Sequence, residues 1–420
     1  MTAAFIVLGC KVNKTDSDAI SAHFIENGIS VINDLKSANI IVVNSCIVTE
    51  ESVRKSRQTL RRVRRENPAA IVVLAGCMPR VDLAKEESFE ADIIIKDNDN
   101  SKISEQILKF ANKQSFTKNI PENPTVIGNG RTRAYIKIQD GCNNFCSYCI
   151  IPHARGKSHS KPLDEIVKEA TSLAAVGFKD VTLVGINLAC YGLDLENVTL
   201  IDAVKAVAKV GFDRVRLGSL EPDKINDELI EHLAKIPNFC PHFHISLQSG
   251  CDATLRRMNR RYLTDDYARI CAKLRKSFKN PSITTDVMVG FPGESDEEFA
   301  KSLEFVRQID FASVHVFSYS KRPLTKAYDF ENQVPENVKS SRNKAMRSLV
   351  TKLQNNFLES FAGKNERVLI ENCKENNLYV GLNERAIQIH LKSTQSFARG
   401  SVVDVKIVGV KNDGLLGEAI

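Results

Sequence analysis

Short apolar runs alternate with polar, helix-compatible stretches along the first third of the chain. Three of these runs, AAFIVLGC, IIVVNSC and AIVVLAGC, are rich in valine, isoleucine and leucine and lack polar alternation, which is typical of buried parallel strands. The pattern predicts a doubly wound α/β domain with a parallel sheet over residues 1–112. The three runs end in Cys10, Cys46 and Cys77, which are separated by about one strand and helix each.

The periodicity changes twice along the rest of the chain. Residues 113–130 gather proline, asparagine and glycine and are predicted to be a linker. In residues 131–363, six strand candidates alternate with helical patterns, beginning near positions 134, 180, 214, 243, 283 and 313, and a basic helix follows from Pro335. This alternation predicts a partial (β/α)6 barrel, with chemistry at the carboxyl ends of its strands. Residues 364–420 show short alternating strands, which predict a small all-β barrel.

Composition narrows the class of protein. In 420 residues, 43% are hydrophobic and 26% are charged, which are ordinary globular values and argue against disorder or a coiled-coil rod. The longest apolar runs are too short to cross a bilayer and the first residues do not resemble a signal peptide, so we expect a cytoplasmic protein with no membrane partner. A net charge of +7 permits a polyanionic partner.

Eleven cysteines, an odd number, argue against a disulfide framework and for metal or redox chemistry. The sequence GCNNFCSYC places Cys142, Cys146 and Cys149 in a C-x3-C-x2-C loop directly after a predicted strand, where three soft thiolates suit an iron-sulfur cluster. A structural zinc site with His153 as fourth ligand is the alternative. Three further thiolates at neighbouring strand ends suit a second cluster; the alternative is three core cysteines.

The remaining cysteines lack ligand spacing. We expect them to be packing or surface residues; they are Cys190, Cys240, Cys251, Cys271 and Cys373.

Ordered motifs over essentially the whole chain resemble the methylthiotransferases of the radical S-adenosylmethionine superfamily. The motifs are GCKVN at 9–13, NSCIVTEESVRKSRQ at 44–58, DGCNNFCSYCIIPHARG at 140–156, LQSG at 247–250, RRMNRRY at 256–262, TDVMVGFPGE at 285–294 and HVFSYSKRP at 315–323. The terminal segment is similar to the small RNA-binding barrel called TRAM. The first and third motifs most resemble the members that act on threonylcarbamoyladenosine at position 37 of tRNA. Two departures are GCMPR after the third strand and Leu324 where glycine is usual.

The resemblance implies an enzyme with two [4Fe-4S] clusters that uses two molecules of S-adenosyl-L-methionine to replace hydrogen at C2 of the modified adenine by a methylthio group. It further implies a tRNA anticodon stem-loop as partner and an electron donor such as flavodoxin or ferredoxin; the sulfur source is left open. Three alternatives remain: isopentenyladenosine of tRNA as substrate, a ribosomal-protein aspartate as substrate, and a non-catalytic iron-sulfur sensor that binds RNA.

Candidate cofactor contacts lie beside the cysteine loop and at strand ends. The resemblance supports Tyr148 as an adenine contact, and the strand-end amides and carboxylate of Asn187, Gln248 and Glu221 suit polar groups of the cofactor. Each of the three could instead cap a helix or turn.

A cationic helix face is the strongest local sign of RNA binding. At 100° per residue, one arc of the segment after Cys46 carries arginines that suit phosphate, and these are Arg54, Arg57, Arg61, Arg64 and Arg65. A second group contains Arg256, Arg257, Arg260 and Arg261. Both arginine groups could instead be solvent-exposed side chains without a nucleic-acid partner. The terminal barrel has seven basic and seven acidic residues from 365 to 420, so it has no net charge, and Tyr379 and Phe397 are its candidate RNA contacts.

Overall fold

The computed structural model describes residues 1–81, 89–112, 130–374, 377–411 and 414–420. Residues 113–129 of the predicted linker therefore lie outside the described part. The chain forms two compact units. Unit 1 contains residues 1–131, 141–158 and 320–328; unit 2 contains residues 132–140, 159–319 and 329–420.

Unit 1 is built on a five-stranded sheet with the order β2-β1-β3-β4-β5, in which every pairing is parallel. Its strands are β1 (Thr2–Val7), β2 (Ser30–Val31), β3 (Ile40–Ser45), β4 (Ile71–Gly76) and β5 (Ile93–Ile94). Its helices are α1 (Lys11–Glu26), α2 (Glu50–Glu66), α3 (Asn100–Ala111) and the short α4 (Ile151–Arg155). Apolar residues of α1 and α3 pack in one core and those of α2 in another, which confirms the predicted doubly wound sheet.

The beginning and the buried face of α2 follow directly from its sequence. Thr49 and Ser52 form a reciprocal capping box at its first turn. Acidic residues follow in that first turn, and Arg64 and Arg65 occupy the last turn. Negative charge at the N-terminus and positive charge at the C-terminus of a helix both interact favourably with the helix dipole. Leu60 and Val63 are buried against the sheet, as the periodicity predicts.

Unit 2 contains six consecutive parallel strand positions, as predicted. The third is split at Gly218, which gives the sheets β10-β9-β6 and β11-β12-β13-β14. The strands are β6 (Arg133–Lys137), β9 (Asp180–Val184), β10 (Arg214–Leu217), β11 (Ser219–Leu220), β12 (His242–Ile245), β13 (Ser282–Val289) and β14 (Ser313–Ser318). A separate antiparallel pair is formed by β7 (Gln139–Asp140) and β8 (His159–Ser160).

The helices of unit 2 alternate with these strands and cover their buried side chains with one continuous apolar core. They are α5 (Leu163–Ala175), α6 (Leu200–Ala208), α7 (Asp227–Ala234), α8 (Asp252–Arg257), α9 (Thr264–Ser277), α10 (Asp296–Ile309) and α11 (Glu336–Glu359). The last of these is the predicted basic helix.

A closed five-stranded barrel with the order β15-β16-β17-β19-β18 ends the chain, which confirms the predicted all-β segment. Its strands are β15 (Asn365–Lys374), β16 (Leu378–Leu382), β17 (Gln388–Lys392), β18 (Val402–Lys411) and β19 (Gly414–Ala419). Its interior has its own apolar core. Gly381 is required because a Cβ there would lie 2.3 Å from the carbonyl oxygen of Leu369.

Two buried arginines of β10 attach this barrel to the rest of unit 2. Arg214 donates to the carbonyls of Leu382 and Arg367, and Arg216 donates to those of Asn383 and Glu384. The search for membrane spans found, among the described residues, no helix with the length and apolarity that a bilayer requires.

Candidate metal centre

The three N-terminal cysteines follow neighbouring strands of the unit 1 sheet. Cys46 and Cys77 come directly after paired residues of β3 and β4, and the Cys77 N–H donates to the carbonyl of Ser45 at 3.0 Å. Cys10 lies on the next strand connection, at the N-cap position of α1. Parallel strands are about 4.8 Å apart, so the three residues share one edge of the sheet.

The three thiols differ in environment. Cys77 is buried, with 2% of its surface accessible, whereas Cys46 is half-buried and Cys10 is exposed. Although Cys10 is exposed as a residue, the surrounding protein desolvates its thiol and so raises the pKa of Cys10, and the nearby Arg155 guanidinium opposes the rise.

A buried amide network holds Cys10 in place. Its thiol donates to Asn13 Oδ1 at 3.3 Å, and Asn13 Nδ2 donates to Asn44 Oδ1 at 2.7 Å. Asn44 Nδ2 in turn donates to the carbonyl of Asn13 at 2.9 Å and to the Ser17 hydroxyl. Gly9 precedes this network and is required there, because a Cβ would lie 2.4 Å from the Asn13 side chain.

The C-x3-C-x2-C loop belongs to the same compact unit. The Cys142 N–H donates to the carbonyl of Gly156 at 3.1 Å, and the Cys149 N–H donates to that of Cys146 at 2.9 Å. The loop is closed at Gly141, where φ is +69° and a Cβ would lie 2.0 Å from the Lys157 carbonyl oxygen. All three cysteines are half-buried and free of disulfides.

An apolar cluster joins the two cysteine regions within unit 1. Ile150 and Ala154, which follow the loop, pack with Ile47, Cys77 and Val81. The regions that carry the two trios are therefore in direct contact.

A buried ion pair adds to this contact. Arg155 and Asp16 are almost wholly inaccessible, and Arg155 Nη2 lies 3.0 Å from Asp16 Oδ2. The same nitrogen lies 3.4 Å from Asn13 Oδ1, the acceptor of the Cys10 thiol. Sequence reasoning missed this pair: both residues stand beside cysteine motifs, but nothing local indicates that they meet.

The donor set fits clusters of iron and sulfide. Six cysteines that form no disulfide can supply soft thiolates, which suit such clusters. Among the residues that the structure describes, no three histidine, cysteine, aspartate or glutamate side chains could hold a single metal ion. His153 instead makes an edge contact with Phe145.

The predicted cofactor residues of unit 2 lie at or just after strand ends. Asn187 is buried, and its N–H donates to Gln139 Oε1 at 2.7 Å. Gln248 has a φ of +67°, its backbone bonds to β13, and its buried Oε1 lacks a hydrogen-bond partner among the described residues. Glu221 is paired with Arg260, and burial raises the pKa of Glu221 despite that pairing. Tyr148 lies in the cysteine loop of unit 1.

The arginines of α2 have different surroundings. Arg54 pairs with Glu51 and Arg61 with Glu90, both at exposed positions, whereas Arg65 is exposed. Arg57 lies over the ring of Phe89. Arg64 donates to Asp92 at 2.6 Å and to the carbonyl of Ala70, so part of the predicted cationic face has a structural role.

The second arginine group is divided in the same way. Arg257 pairs with Glu298 and Arg260 with Glu221, whereas Arg256 and Arg261 are exposed. Of the five cysteines without ligand spacing, Cys373 is exposed and the other four are buried, and burial raises the pKa of Cys271 to about 12.

Comparison with known proteins adds to this geometry. Residues 136–306 match the model of the radical SAM superfamily, and residues 2–96 match that of an uncharacterized protein family, UPF0004. The threonylcarbamoyladenosine tRNA methylthiotransferase of Bacillus subtilis is 34% identical over 97% of this chain and 94% of the relative. The tRNA-2-methylthio-N(6)-dimethylallyladenosine synthase of Finegoldia magna is 33% identical over 100% of this chain and 94% of the relative.

Among solved structures, the radical S-adenosylmethionine methyltransferase TsrM of Kitasatospora setae matches with a TM-score of 0.60 and 15% identity, over 78% of this chain and 75% of that one. This likeness concerns the fold. The similarity to the curated relatives extends over nearly the full length of both proteins, and the chain therefore belongs to the radical S-adenosylmethionine tRNA methylthiotransferases, enzymes whose cofactors are S-adenosylmethionine and a [4Fe-4S] cluster.

Proposed function

We propose that this enzyme places a methylthio group on C2 of N6-threonylcarbamoyladenosine at position 37 of tRNA, using two [4Fe-4S] clusters and two molecules of S-adenosyl-L-methionine. The observation that carries the proposal is that two trios of cysteines without disulfide bonds lie in one compact unit, with the chain segments beside them in contact. One trio is Cys10, Cys46 and Cys77; the other is Cys142, Cys146 and Cys149. With three protein ligands each, such clusters would keep one iron available to an exchangeable group.

The cofactors supply the radical chemistry that an unactivated C–H bond requires. The protein's part is to hold the cofactors and the substrate and to orient them. The thiolates of each trio would bind one cluster, and the amide network around Asn13 orients Cys10. Tyr148, Asn187, Glu221 and Gln248 are the residues that we propose for contacts to S-adenosylmethionine.

An anticodon stem-loop is the proposed macromolecular partner, with the enzyme acting in the cytoplasm. Arginine binds phosphate through its planar fork, and the α2 residues that we propose for this are Arg54, Arg57, Arg61, Arg64 and Arg65. Of these, Arg64 is already bound to Asp92. Arg65 is exposed and Arg61 has only an exposed carboxylate neighbour, so these two are the strongest candidates. A flavodoxin or ferredoxin is the proposed electron donor.

The substrate is argued from motifs, because relatives named for two different modified adenosines are 34% and 33% identical to this chain. The GCKVN opening and the CNNFCSYCIIPHARG loop favour threonylcarbamoyladenosine. Mass spectrometry of nucleosides from a strain that lacks the gene tests this choice. We expect loss of the methylthio derivative of threonylcarbamoyladenosine alone. Loss of the mark from isopentenyladenosine, or from a ribosomal-protein aspartate, would overturn the substrate.

Iron analysis tests the two-cluster part of the proposal. The anaerobically reconstituted chain should hold about eight irons, and Cys10→Ala or Cys142→Ala should each leave about four. Cys373→Ala is the matched control, because Cys373 is an exposed cysteine outside both trios, and it should retain the full iron content. If the reduced protein cleaves no S-adenosylmethionine, the non-catalytic sensor replaces the enzyme.

A further inference from the structure

A short segment of unit 1, residues 320–328, contacts both cysteine regions. At its start, the Ser320 hydroxyl accepts a hydrogen bond at 3.2 Å from the N–H of Glu50, the first residue of α2. Near its end, the Ala327 N–H donates to the carbonyl of Ser147 at 2.7 Å, within the C-x3-C-x2-C loop. Side chains that this segment exposes therefore lie beside both trios.

A tight turn within the segment presents Leu324 to solvent. The Thr325 N–H donates to the carbonyl of Arg322 at 3.3 Å, and the Thr325 hydroxyl donates to the same carbonyl at 2.7 Å. Arg322 and Thr325 are buried, whereas Leu324 is 57% exposed. Pro323 occupies the second position of the turn and Leu324 the third, where φ is +67°. A turn with a positive φ at its third position favours glycine or asparagine there, so a leucine has a steric cost.

Leu324 is unfavourable to the protein alone for two reasons. Its apolar side chain is largely in water, and its backbone conformation suits glycine, the residue that is usual at this position. Strain that the surrounding structure holds in place is typical of functional sites. We therefore expect the Leu324 side chain to gain contacts when a partner binds.

The charges around Leu324 favour RNA as this partner. Residues 320–328 contain three basic residues and no acidic one. Two of them, Lys321 and Lys326, are exposed on either side of Leu324, where they suit phosphate groups. A protein interface has a contiguous apolar centre, whereas here the apolar side chain stands between cations.

An aromatic ring beside the segment also suits nucleic acid. Phe145 of the cysteine loop is 52% exposed, and its ring makes an edge contact with that of His153. Bases of single-stranded RNA stack on exposed aromatic rings. The surface thus combines an apolar side chain, an aromatic ring and cations, which together fit unpaired nucleotides.

We propose that Leu324 is a further residue that positions the RNA substrate: its side chain enters the base stack of the anticodon loop and occupies the place of the adenosine that leaves it. The inference rests on the proposed function, because it requires that loop as substrate. A base has to leave its stack before an enzyme can reach one of its ring atoms, and unstacking costs free energy. An apolar side chain between the remaining bases offsets this cost. The anchored turn holds Leu324 in position before the RNA binds.

The test uses the full-length reconstituted enzyme and two stem-loop RNAs that carry N6-threonylcarbamoyladenosine, with 2-aminopurine on its 5′ side in one and on its 3′ side in the other. The fluorescence of 2-aminopurine rises when a neighbouring base leaves the stack. Leu324→Gly should raise Kd roughly threefold to thirtyfold and should lower the fluorescence rise at saturation about twofold or more, because an apolar contact is lost. The slope of log K against log salt should stay the same, because no phosphate contact is removed.

Further variants separate the side chain from the backbone. Leu324→Asn suits the left-handed backbone and has nearly the size of leucine, but it is polar and should behave like Leu324→Gly. Leu324→Met keeps an apolar side chain and should retain most of the fluorescence rise. Val176→Ala, at a residue that is 66% exposed after α5 of unit 2, is the matched control and should change Kd less than about twofold. Thermal unfolding checks that each variant is folded.

Each outcome bears on the inference. An unchanged Kd and fluorescence rise in Leu324→Gly overturn it, and if that variant does not fold, Leu324→Asn decides in the same way. If the variants instead slow only the reduction of the enzyme by a flavodoxin, the surface binds a protein and the inference is overturned. A parent that binds the stem-loop no better than an RNA duplex of the same length overturns the proposed function as well. A parent that binds the loop specifically, but without a fluorescence rise or with one that is independent of Leu324, overturns the inference alone.

Discussion

At the scale of single residues, the buried ion pair of Arg155 and Asp16 has a large predicted effect on stability. Both side chains are buried, so removal of either one takes the oppositely charged partner away from a charge that lies out of water. We expect Arg155→Met or Asp16→Asn to destabilise the protein by about 3–5 kcal/mol. Urea unfolding followed by circular dichroism measures the loss, with exposed Lys157→Met as control. If either single variant unfolds at the same urea concentration as the control, the assigned role of the ion pair is contradicted.

A second pair predicts a dependence of stability on pH. The hydrogen bond from Arg257 lowers the pKa of Glu298 below its usual 4.5. The pair therefore contributes its full stability above pH 4.5, and the contribution disappears as the pH falls through the lowered pKa. Glu298→Gln should be less stable than the parent at neutral pH, and the difference should shrink in acid. Glu304→Gln, which removes an exposed ion pair with Arg307 on α10, should show a smaller trend. A constant difference for Glu298→Gln would refute the prediction.

At the scale of elements, β10 connects the partial barrel to the terminal barrel through its arginines. Arg216 also binds Asp180 of β9 at 2.9 Å, so its loss would leave a buried carboxylate alone. We expect Arg216→Met to destabilise unit 2 by about 3–5 kcal/mol. Arg367→Met removes an exposed arginine with a neighbouring carboxylate at 3.8 Å and should cost less than about 1 kcal/mol. Thermal unfolding of the two variants compares them, and equal midpoints would show that β10 does not anchor the barrel.

At the scale of the whole molecule, the positive charge lies outside the terminal barrel, because residues 365–420 carry no net charge and the chain carries +7. The predicted RNA contacts on α2 should therefore dominate the salt dependence of tRNA binding. Arg65→Gln should lower the slope of log K against log salt by about one. Arg399→Gln, at an exposed position of the barrel, should change the slope less. If Arg399→Gln changes the salt slope more than Arg65→Gln does, the main RNA contact lies on the barrel and not on α2.

The same measurement separates two neighbouring arginines that look alike in sequence. Arg64 holds Asp92 and the carbonyl of Ala70, so Arg64→Gln should weaken folding while leaving the salt slope nearly unchanged. Helical periodicity places both arginines on one face. Only the packing of α2 against the sheet shows that one of them is already bound.

Sequence alone determined the strand and helix order, the doubly wound sheet, the partial barrel, the terminal barrel and the position of every candidate cysteine. These features depend on periodicity and on spacing within a few residues, which are local properties of a chain. Tertiary structure decided which charges meet. Asp16 and Arg155 are 139 positions apart, Glu221 is bound by Arg260, and Arg322 is buried beside the region of Cys46. Such pairings arise from the packing of distant segments, and burial then determines their energy, so no local pattern could have predicted them.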